Sequence, residues 1–201
     1  MRYHVPLFGQ LTANSCWATS IAMILSWARR TSVTPSSVRD LIGYDAQYVT
    51  TGIEMQDRTP FDAVDMVAEP PMNYTIGGFL QLLQNYGPLW VRRGFRANVT
   101  GAIQGGFHAI VVTGFHADPD ARHARVYVND PWERGMASFR LPNAGSTHVY
   151  NYFNFVRNAY EVPEMVRQVV SRQETARLGR PVDVQPAAFY IAHLRSRPHS
   201  D

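Results

Sequence analysis

Apolar residues near the start of the chain recur at the spacing of an α-helix. Between residues 15 and 30 the large apolar side chains fall on one side of such a helix, at Trp17, Ile21, Ile24, Leu25 and Ala28. Asn14 or Ser15 precedes this run, and either side chain can cap free backbone N–H groups of the first turn. The pattern therefore predicts a helix over residues 15–30.

Three shorter helices are predicted further along the chain. The dipeptides Thr34-Pro35 and Thr59-Pro60 each place a capping residue before a proline at the first helical position. They predict helices near residues 35–42 and 60–67, and a third helix is predicted over residues 75–86.

After Pro88 the pattern changes to short runs rich in β-branched residues, which are typical of strands. These runs predict strands at Leu89–Arg92, Phe107–Phe115, Arg125–Asn129, Met136–Leu141 and Ala187–Leu194. An amphipathic helix is predicted at Val162–Leu178.

Helices first and an antiparallel sheet later is the α+β pattern. We expect one domain over residues 1–201, with a mainly helical lobe at 1–88 and a β-sheet lobe at 89–156. Three roles remain open for the extension at 157–201. It completes the fold, binds a partner such as an immunity or inhibitor protein, or connects to a longer polypeptide.

The composition sets limits on the class of protein. A chain of 201 residues with a hydrophobic fraction of 45% is enough for one packed domain. No apolar run approaches the roughly 20 residues that a membrane-spanning helix needs. Residues 1–6 do not resemble a secretory signal peptide. We therefore expect a protein that is cytoplasmic in its producer or secreted without a cleavable signal.

All 19 basic residues are arginine, and the formal net charge is +3. Two explanations remain open: a GC-rich genome that favours arginine codons, or a protein that enters eukaryotic cells and avoids lysine because lysines are ubiquitinated there. The arginines are scattered along the sequence and form no basic stripe with interleaved aromatics, so nucleic-acid binding is not expected.

Cys16 is the only cysteine, so it cannot form an internal disulfide. It stands where the first helix should begin, and the unpaired N–H groups and dipole of a helix N-terminus lower a thiol pKa from its reference of about 8.5. Gln10 precedes it closely, and a glutamine amide can donate to the oxyanion of acyl transfer. The alternatives are a buried structural cysteine and an ordinary loop glutamine, while Trp17 is expected to be an apolar anchor.

A histidine that could serve as the base lies at the start of the longest predicted strand. His108 follows Gly105-Gly106, which allow a substrate backbone to approach closely. His116 and His148 are its competitors, and an ordinary surface histidine is the alternative.

The base needs a group that orients its second ring nitrogen. Asn129 and Asp130 at the end of the next strand are the candidates, and strand alternation allows only one of them to reach His108. The run Asn129-Asp130-Pro131 is also explained by turn geometry alone.

Together these residues resemble the papain-like cysteine peptidases, in the order Cys, His, Asn/Asp. The resemblance covers about residues 4–132 and rests on Gln10, Ser15–Ala18, Gly106–Gly114 and Val128–Trp132. The spacings are shorter than in papain itself and are more similar to compact bacterial members. These are type III-secreted plant-pathogen effector proteases and the peptidase domains that process double-glycine leader peptides. Several such members have a catalytic Asp followed by Pro, which favours Asp130 over Asn129.

The resemblance implies a papain-like fold and a cysteine endopeptidase that cleaves a protein substrate. Cys16 would be the nucleophile, His108 the general base and then acid, Asp130 its orienting group, and Gln10 an oxyanion donor. No cofactor is implied, and no metal site is expected because close ligand pairs are absent from the sequence.

Two other functions remain open on the same scaffold. One is a different thiol acyl-transfer enzyme, such as a peptidoglycan amidase, a transglutaminase or a deamidase. The other is a catalytically inactive module that binds a partner through its groove. Tyr44–Asp57 and Asn143–Phe155 are candidate loops of that groove.

Overall fold

The computed structural model describes residues 1–54, 57–69, 74–99, 102–132, 144–157 and 190–196. The helices in these ranges are α1 (Cys16–Arg29), α2 (Pro35–Ile42), a π-helix (Gln47–Thr51), α3 (Thr59–Asp62), α4 (Ile76–Tyr86) and α5 (Tyr152–Arg157). The strands are β1 (Met66–Ala68), β2 (Leu89–Val99), β3 (Ala102–His116), β4 (Arg125–Asp130), β5 (Ser146–Asn151) and β6 (Tyr190–Leu194).

One antiparallel sheet joins these six strands in the order β1-β6-β2-β3-β4-β5. The sheet takes β1 from the segment expected to be helical and β6 from the C-terminal extension. The expected α+β class, with helices and an antiparallel sheet, is confirmed.

The two faces of the sheet carry separate apolar clusters because side chains alternate along each strand. On one face, Ala109 and Val111 of β3 pack with the buried side of α1, including Trp17. On the other face, Ile110 and Val112 pack with residues of α4 and α5. This explains the continuous apolar run of β3, since a strand covered on both faces has no polar side.

The predicted helix at residues 60–67 is wrong in its second half. Helix α3 ends at Asp62, and Met66 already pairs with Leu194 of β6 as part of β1. Asp65 lies between them with φ 58°, a left-handed conformation that stops a helix. Pairing with a distant strand therefore overrides the local helical pattern.

The two predicted groove loops also contain regular structure. Residues 44–57 include the π-helix, and residues 143–155 include β5 and most of α5. The strand β5 is polar and lies at one edge of the sheet, where pairing with β4 rather than a hydrophobic pattern defines it.

The other elements agree with the sequence to within a few residues, except that β2 runs on to Val99 and β3 already begins at Ala102, before the predicted start at Phe107. The predicted strand Met136–Leu141 and helix Val162–Leu178 lie outside the described residues. In the parts of the chain that are described, no helix has the length and apolar character needed to cross a bilayer.

Candidate active site

Cys16 is the first residue of α1, and its side chain is only partly buried. The residues that follow it, from Trp17 to Ser26, are all buried in the core. The helix is thus fixed by packing over residues 17–26, and the residue that carries the sulfur lies partly exposed at its start. The unpaired N–H groups of a helix start lie next to this sulfur and favour its anionic form.

The Ser15 side chain forms hydrogen bonds within the turn before Cys16 and none to the first N–H groups of α1. The Ser15 hydroxyl oxygen accepts from the backbone N–H groups of Leu11 at 3.1 Å and Thr12 at 2.9 Å. Asn14 donates instead to the Val49 carbonyl at 3.0 Å. The predicted capping by Asn14 or Ser15 is therefore wrong, and within the described residues no side chain caps the first N–H groups of α1.

His108 and Asp130 lie on the neighbouring strands β3 and β4 and are both nearly fully buried. His108 Nε2 donates to Asp130 Oδ1 at 2.6 Å. The same carboxylate oxygen accepts from the backbone N–H of Trp132 at 2.8 Å, which fixes its orientation. A short bond between two buried, ionisable groups of opposite sign holds the imidazole ring rigidly.

Asn129 points away from this pair. Its side-chain amide donates to the carbonyls of Val5 at 3.0 Å and Pro6 at 3.5 Å. Adjacent strand residues face opposite sides of a sheet, so only one of the two candidates can meet the imidazole. The structure places Asp130 against His108 and uses Asn129 to hold the N-terminal segment.

The electrostatics of the site favour a charged Cys16–His108 pair. Burial alone would raise the pKa of the Cys16 thiol, but the hydrogen bond and charge of His108 and the backbone N–H of Ala109 lower it overall. Burial would lower the pKa of His108, but the charge and hydrogen bond of Asp130, together with Cys16, raise it to about 10. Since Nε2 faces Asp130, the ring nitrogen left for the Cys16 sulfur is Nδ1.

Gln10 is fully buried beside this turn. Its amide nitrogen donates to the carbonyls of Thr12 at 2.9 Å and Ala13 at 3.2 Å, while its Oε1 has no hydrogen-bond partner among the described residues. The backbone N–H of Gln10 donates to the Pro131 carbonyl at 3.0 Å. Gln10 thus connects the turn at residues 11–15, which precedes Cys16, to the turn that follows Asp130.

The competing histidines have other surroundings. His116 is exposed at the C-terminal end of β3, and His148 Nε2 on β5 lies 2.8 Å from the Ser146 hydroxyl oxygen. Sequence reasoning gave no role to His193, which is buried with Nε2 at 2.7 Å from the Glu69 carboxylate and its ring stacked on Tyr86.

Sequence reasoning also missed the contact between the turn at residues 11–15 and the π-helix. The polar residues Thr12 and Asn14 before Cys16 were the available signal for it. In the described ranges, no group of three or more His, Cys, Asp or Glu side chains is arranged to hold a metal ion.

A comparison with protein families gives an independent result. The family model described as papain-like cysteine protease AvrRpt2 matches residues 1–144, which include Gln10, Cys16, His108 and Asp130. Among curated proteins, no match to the chain was found. The family match covers most of the sequence and agrees with the papain-like resemblance and the α+β fold. The chain therefore belongs to the papain-like cysteine protease family AvrRpt2 and is a cysteine peptidase of that family.

Proposed function

We propose that this cysteine peptidase is an endopeptidase that cleaves a protein substrate through a thioester on Cys16. His108 is the general base and acid, Asp130 orients it, and Gln10 helps to hold the oxyanion. The observation that supports these roles is the chain of contacts from the Cys16 sulfur through the His108 ring to Asp130 Oδ1, with 2.6 Å between the last two groups. A nucleophile, a base and an orienting group in contact are what acyl transfer requires.

Acylation begins from the charged pair. In this pair His108 Nδ1 already holds the proton from Cys16. The sulfur anion attacks the scissile carbonyl carbon, forming the C–S bond as the carbonyl oxygen takes the negative charge. The intermediate collapses when His108 gives its proton to the departing amine, so the C–N bond breaks and the thioester remains. Asp130 keeps Nε2 protonated throughout, which leaves Nδ1 as the only ring atom that exchanges the proton.

The oxyanion of this intermediate needs donors that are already in place. The N–H of Cys16 at the start of α1 is one, because no side chain within the described residues caps that end of the helix. The Gln10 amide is the second, and it must exchange one of its bonds to Thr12 or Ala13 to reach the substrate oxygen. Deacylation repeats the sequence with water, which His108 deprotonates.

The proposal extends to a secreted bacterial effector or toxin domain that acts inside a target cell. It is supported by the similarity to effector-type members and by a sequence with 19 basic residues, all of them arginine. An immunity or inhibitor protein that covers the groove in the producing cell belongs to the same proposal.

The test is a comparison of new protein termini in target-cell extracts treated with the wild-type protein or with Cys16→Ala. New termini that appear only with the wild type support an endopeptidase. If ammonia, crosslinked proteins or peptidoglycan fragments are released and no new termini appear, the enzyme is another thiol acyl-transferase. If a peptidyl epoxide fails to label Cys16 and no product forms, the chain is a binding module.

A further inference from the structure

We propose that the π-helix Gln47–Thr51 positions the nucleophile of this enzyme. In this proposal its carbonyl groups act as a fixed set of acceptors that hold the residues around Cys16 and so keep the sulfur in contact with His108. Thr12 and Asn14 are then positioning residues of the site, although neither touches the reacting atoms. The inference rests on the proposed role of Cys16 as the nucleophile.

Three side chains near Cys16 donate to three successive carbonyls of the π-helix. Trp17 Nε1 donates to Gln47 O at 3.4 Å, the Thr12 hydroxyl donates to Tyr48 O, and Asn14 Nδ2 donates to Val49 O at 3.0 Å. The donors lie on both sides of Cys16 in the sequence. The backbone that carries the sulfur is therefore held from before and after the nucleophile.

The carbonyls of Tyr48 and Val49 are available because they lie in the last turn of the π-helix. The N–H of Gly52 donates to Gln47 O at 2.9 Å, which closes the wide turn. The last carbonyls of a helix have no N–H partner within it and must be satisfied from outside. Thr12 and Asn14 donate to Tyr48 O and Val49 O. The side-chain donors of the turn at residues 11–15 are thus paired with the carbonyl acceptors at the end of the π-helix.

Gly52 has the backbone conformation that lets the π-helix end in this way. Its φ of 70° and ψ of −174° lie in a region that is essentially restricted to glycine. A Cβ at this position would meet no atom of the described residues within 4 Å. A side chain at Gly52 would therefore act through the backbone alone and not through a clash.

The π-helix is itself anchored in the core, so it can serve as a rigid support. Tyr48 is 2% exposed, and its ring packs edge-on against Trp17 with centroids 6.5 Å apart. The Tyr44 ring also packs edge-on against the Trp17 indole, with ring centroids 6.2 Å apart. The Arg39 guanidinium carbon lies 5.2 Å from the centroid of the Tyr48 ring. A catalytic group held by a packed element keeps the productive geometry that acyl transfer depends on.

The first experiment compares Thr12→Val with Thr12→Ser. Valine keeps the shape of threonine and removes the hydroxyl donor, whereas serine keeps the donor. The measurement is the second-order rate of Cys16 inactivation by a peptidyl epoxide as a function of pH, which needs no known substrate. If the sulfur moves away from His108, the pKa of Cys16 rises. The acidic limb of the profile should then move upward by about one pH unit, a roughly tenfold loss of rate below it. Thr12→Ser should stay within about twofold of the wild type.

The second experiment compares alanine substitutions at two glycines. Gly52 and Gly43 both have positive φ, and in the described parts of the chain a Cβ at either would meet nothing within 4 Å. Both substitutions introduce backbone strain, but the strain is smaller at Gly43, because its φ of 77° and ψ of 28° are a left-handed helical conformation that other residues also adopt. Only Gly52→Ala acts on the end of the π-helix. We expect Gly52→Ala to slow inactivation about tenfold with the same upward shift of the acidic limb, and Gly43→Ala to keep the wild-type profile.

The outcomes separate this inference from the proposed function. If the epoxide fails to label the wild type, or labels His108→Ala equally fast, the proposed function fails first. If labelling depends on His108 but Thr12→Val and Gly52→Ala keep the wild-type pH profile, the π-helix does not position the nucleophile. A lower melting temperature with an unmoved profile also overturns the inference, because it indicates structural support only.

Discussion

Replacing Asp130 by asparagine tests the electrostatic reasoning about the site most directly. The substitution keeps the shape of the side chain and an oxygen that can accept from His108 Nε2, but it removes the negative charge. Asp130 is only 3% exposed and lies 2.6 Å from the ring, so its charge acts on His108 with little screening by water. Loss of this charge should therefore lower the pKa of the His108 imidazole.

The size and direction of the effect follow from that pKa. Burial lowers the pKa of His108, and Asp130 is the main group that raises it to about 10 against this tendency. The imidazolium exists below this pKa and the thiolate above the lowered pKa of Cys16, so the reactive pair exists between the two. Without the charge, burial dominates and the pKa of His108 falls to its ordinary range or below. A charge-assisted hydrogen bond contributes about 1.5–3 kcal/mol, so the rate near neutral pH should fall about ten- to hundredfold.

The assay is epoxide inactivation of Cys16 from about pH 5 to pH 10, because opening the epoxide needs both the thiolate and a proton from His108. We expect the alkaline limb of Asp130→Asn to move to lower pH by several units. Asn129→Ala is the matched control: it removes two neutral hydrogen bonds to Val5 and Pro6, costs about 1 kcal/mol of stability, and should leave the limb in place. An unmoved limb in Asp130→Asn would refute the assignment, and a shift in Asn129→Ala alone would transfer the role to Asn129.

Three further predictions concern the oxyanion, the core and the N-terminal segment. Gln10→Ala should lower kcat about a hundredfold with little change in KM, measured on a peptide from a mapped cleavage site; an unchanged kcat would exclude an oxyanion role. Phe79→Ala removes a fully buried ring and should cost about 3–5 kcal/mol in urea unfolding, and a cost below about 1 kcal/mol would contradict the packing described. Gly114→Ala would put a Cβ 2.7 Å from the Met1 carbonyl oxygen and 2.8 Å from Arg2 Cα. It should release residues 1–3 and expose their amides, and wild-type hydrogen exchange there would contradict it.

Local patterns were enough to predict the elements that carry the site. The apolar spacing after Ser15 gives α1 to within one residue of its observed ends, because propensity and burial agree along this helix. The strand with His108 was recognisable from its β-branched run, and the neighbouring strand was predicted at Arg125–Asn129, one residue short of its observed end. Alternation on a strand also showed that only one of Asn129 and Asp130 can meet the imidazole.

What the sequence could not give depends on contacts between distant segments. Residues 66–68 form a strand only because β6 pairs with them, and no local pattern reports a partner so far along the chain. The π-helix depends on Gly52 and on donors from the turn at residues 11–15, and neither segment predicts it alone. The hydrogen bonds of the Gln10 amide likewise follow from the local fold of that turn and not from residue type.

The position of β6 has a consequence for when this peptidase can first become active. The strand β6 pairs with both β1 and β2. The hydrogen bond between His193 of β6 and Glu69 joins positions that are 124 residues apart in the sequence. During synthesis, residues 190–194 must therefore leave the ribosome before β1 can be joined to β2 and the rest of the sheet. The family match ends at residue 144, so a fragment cut there would lack this strand and leave β2 open to pairing with other chains. A fragment made for expression should therefore include β6 and not end where the family match ends. Because β6 is synthesised late, the sheet is completed late in the cell that makes the enzyme.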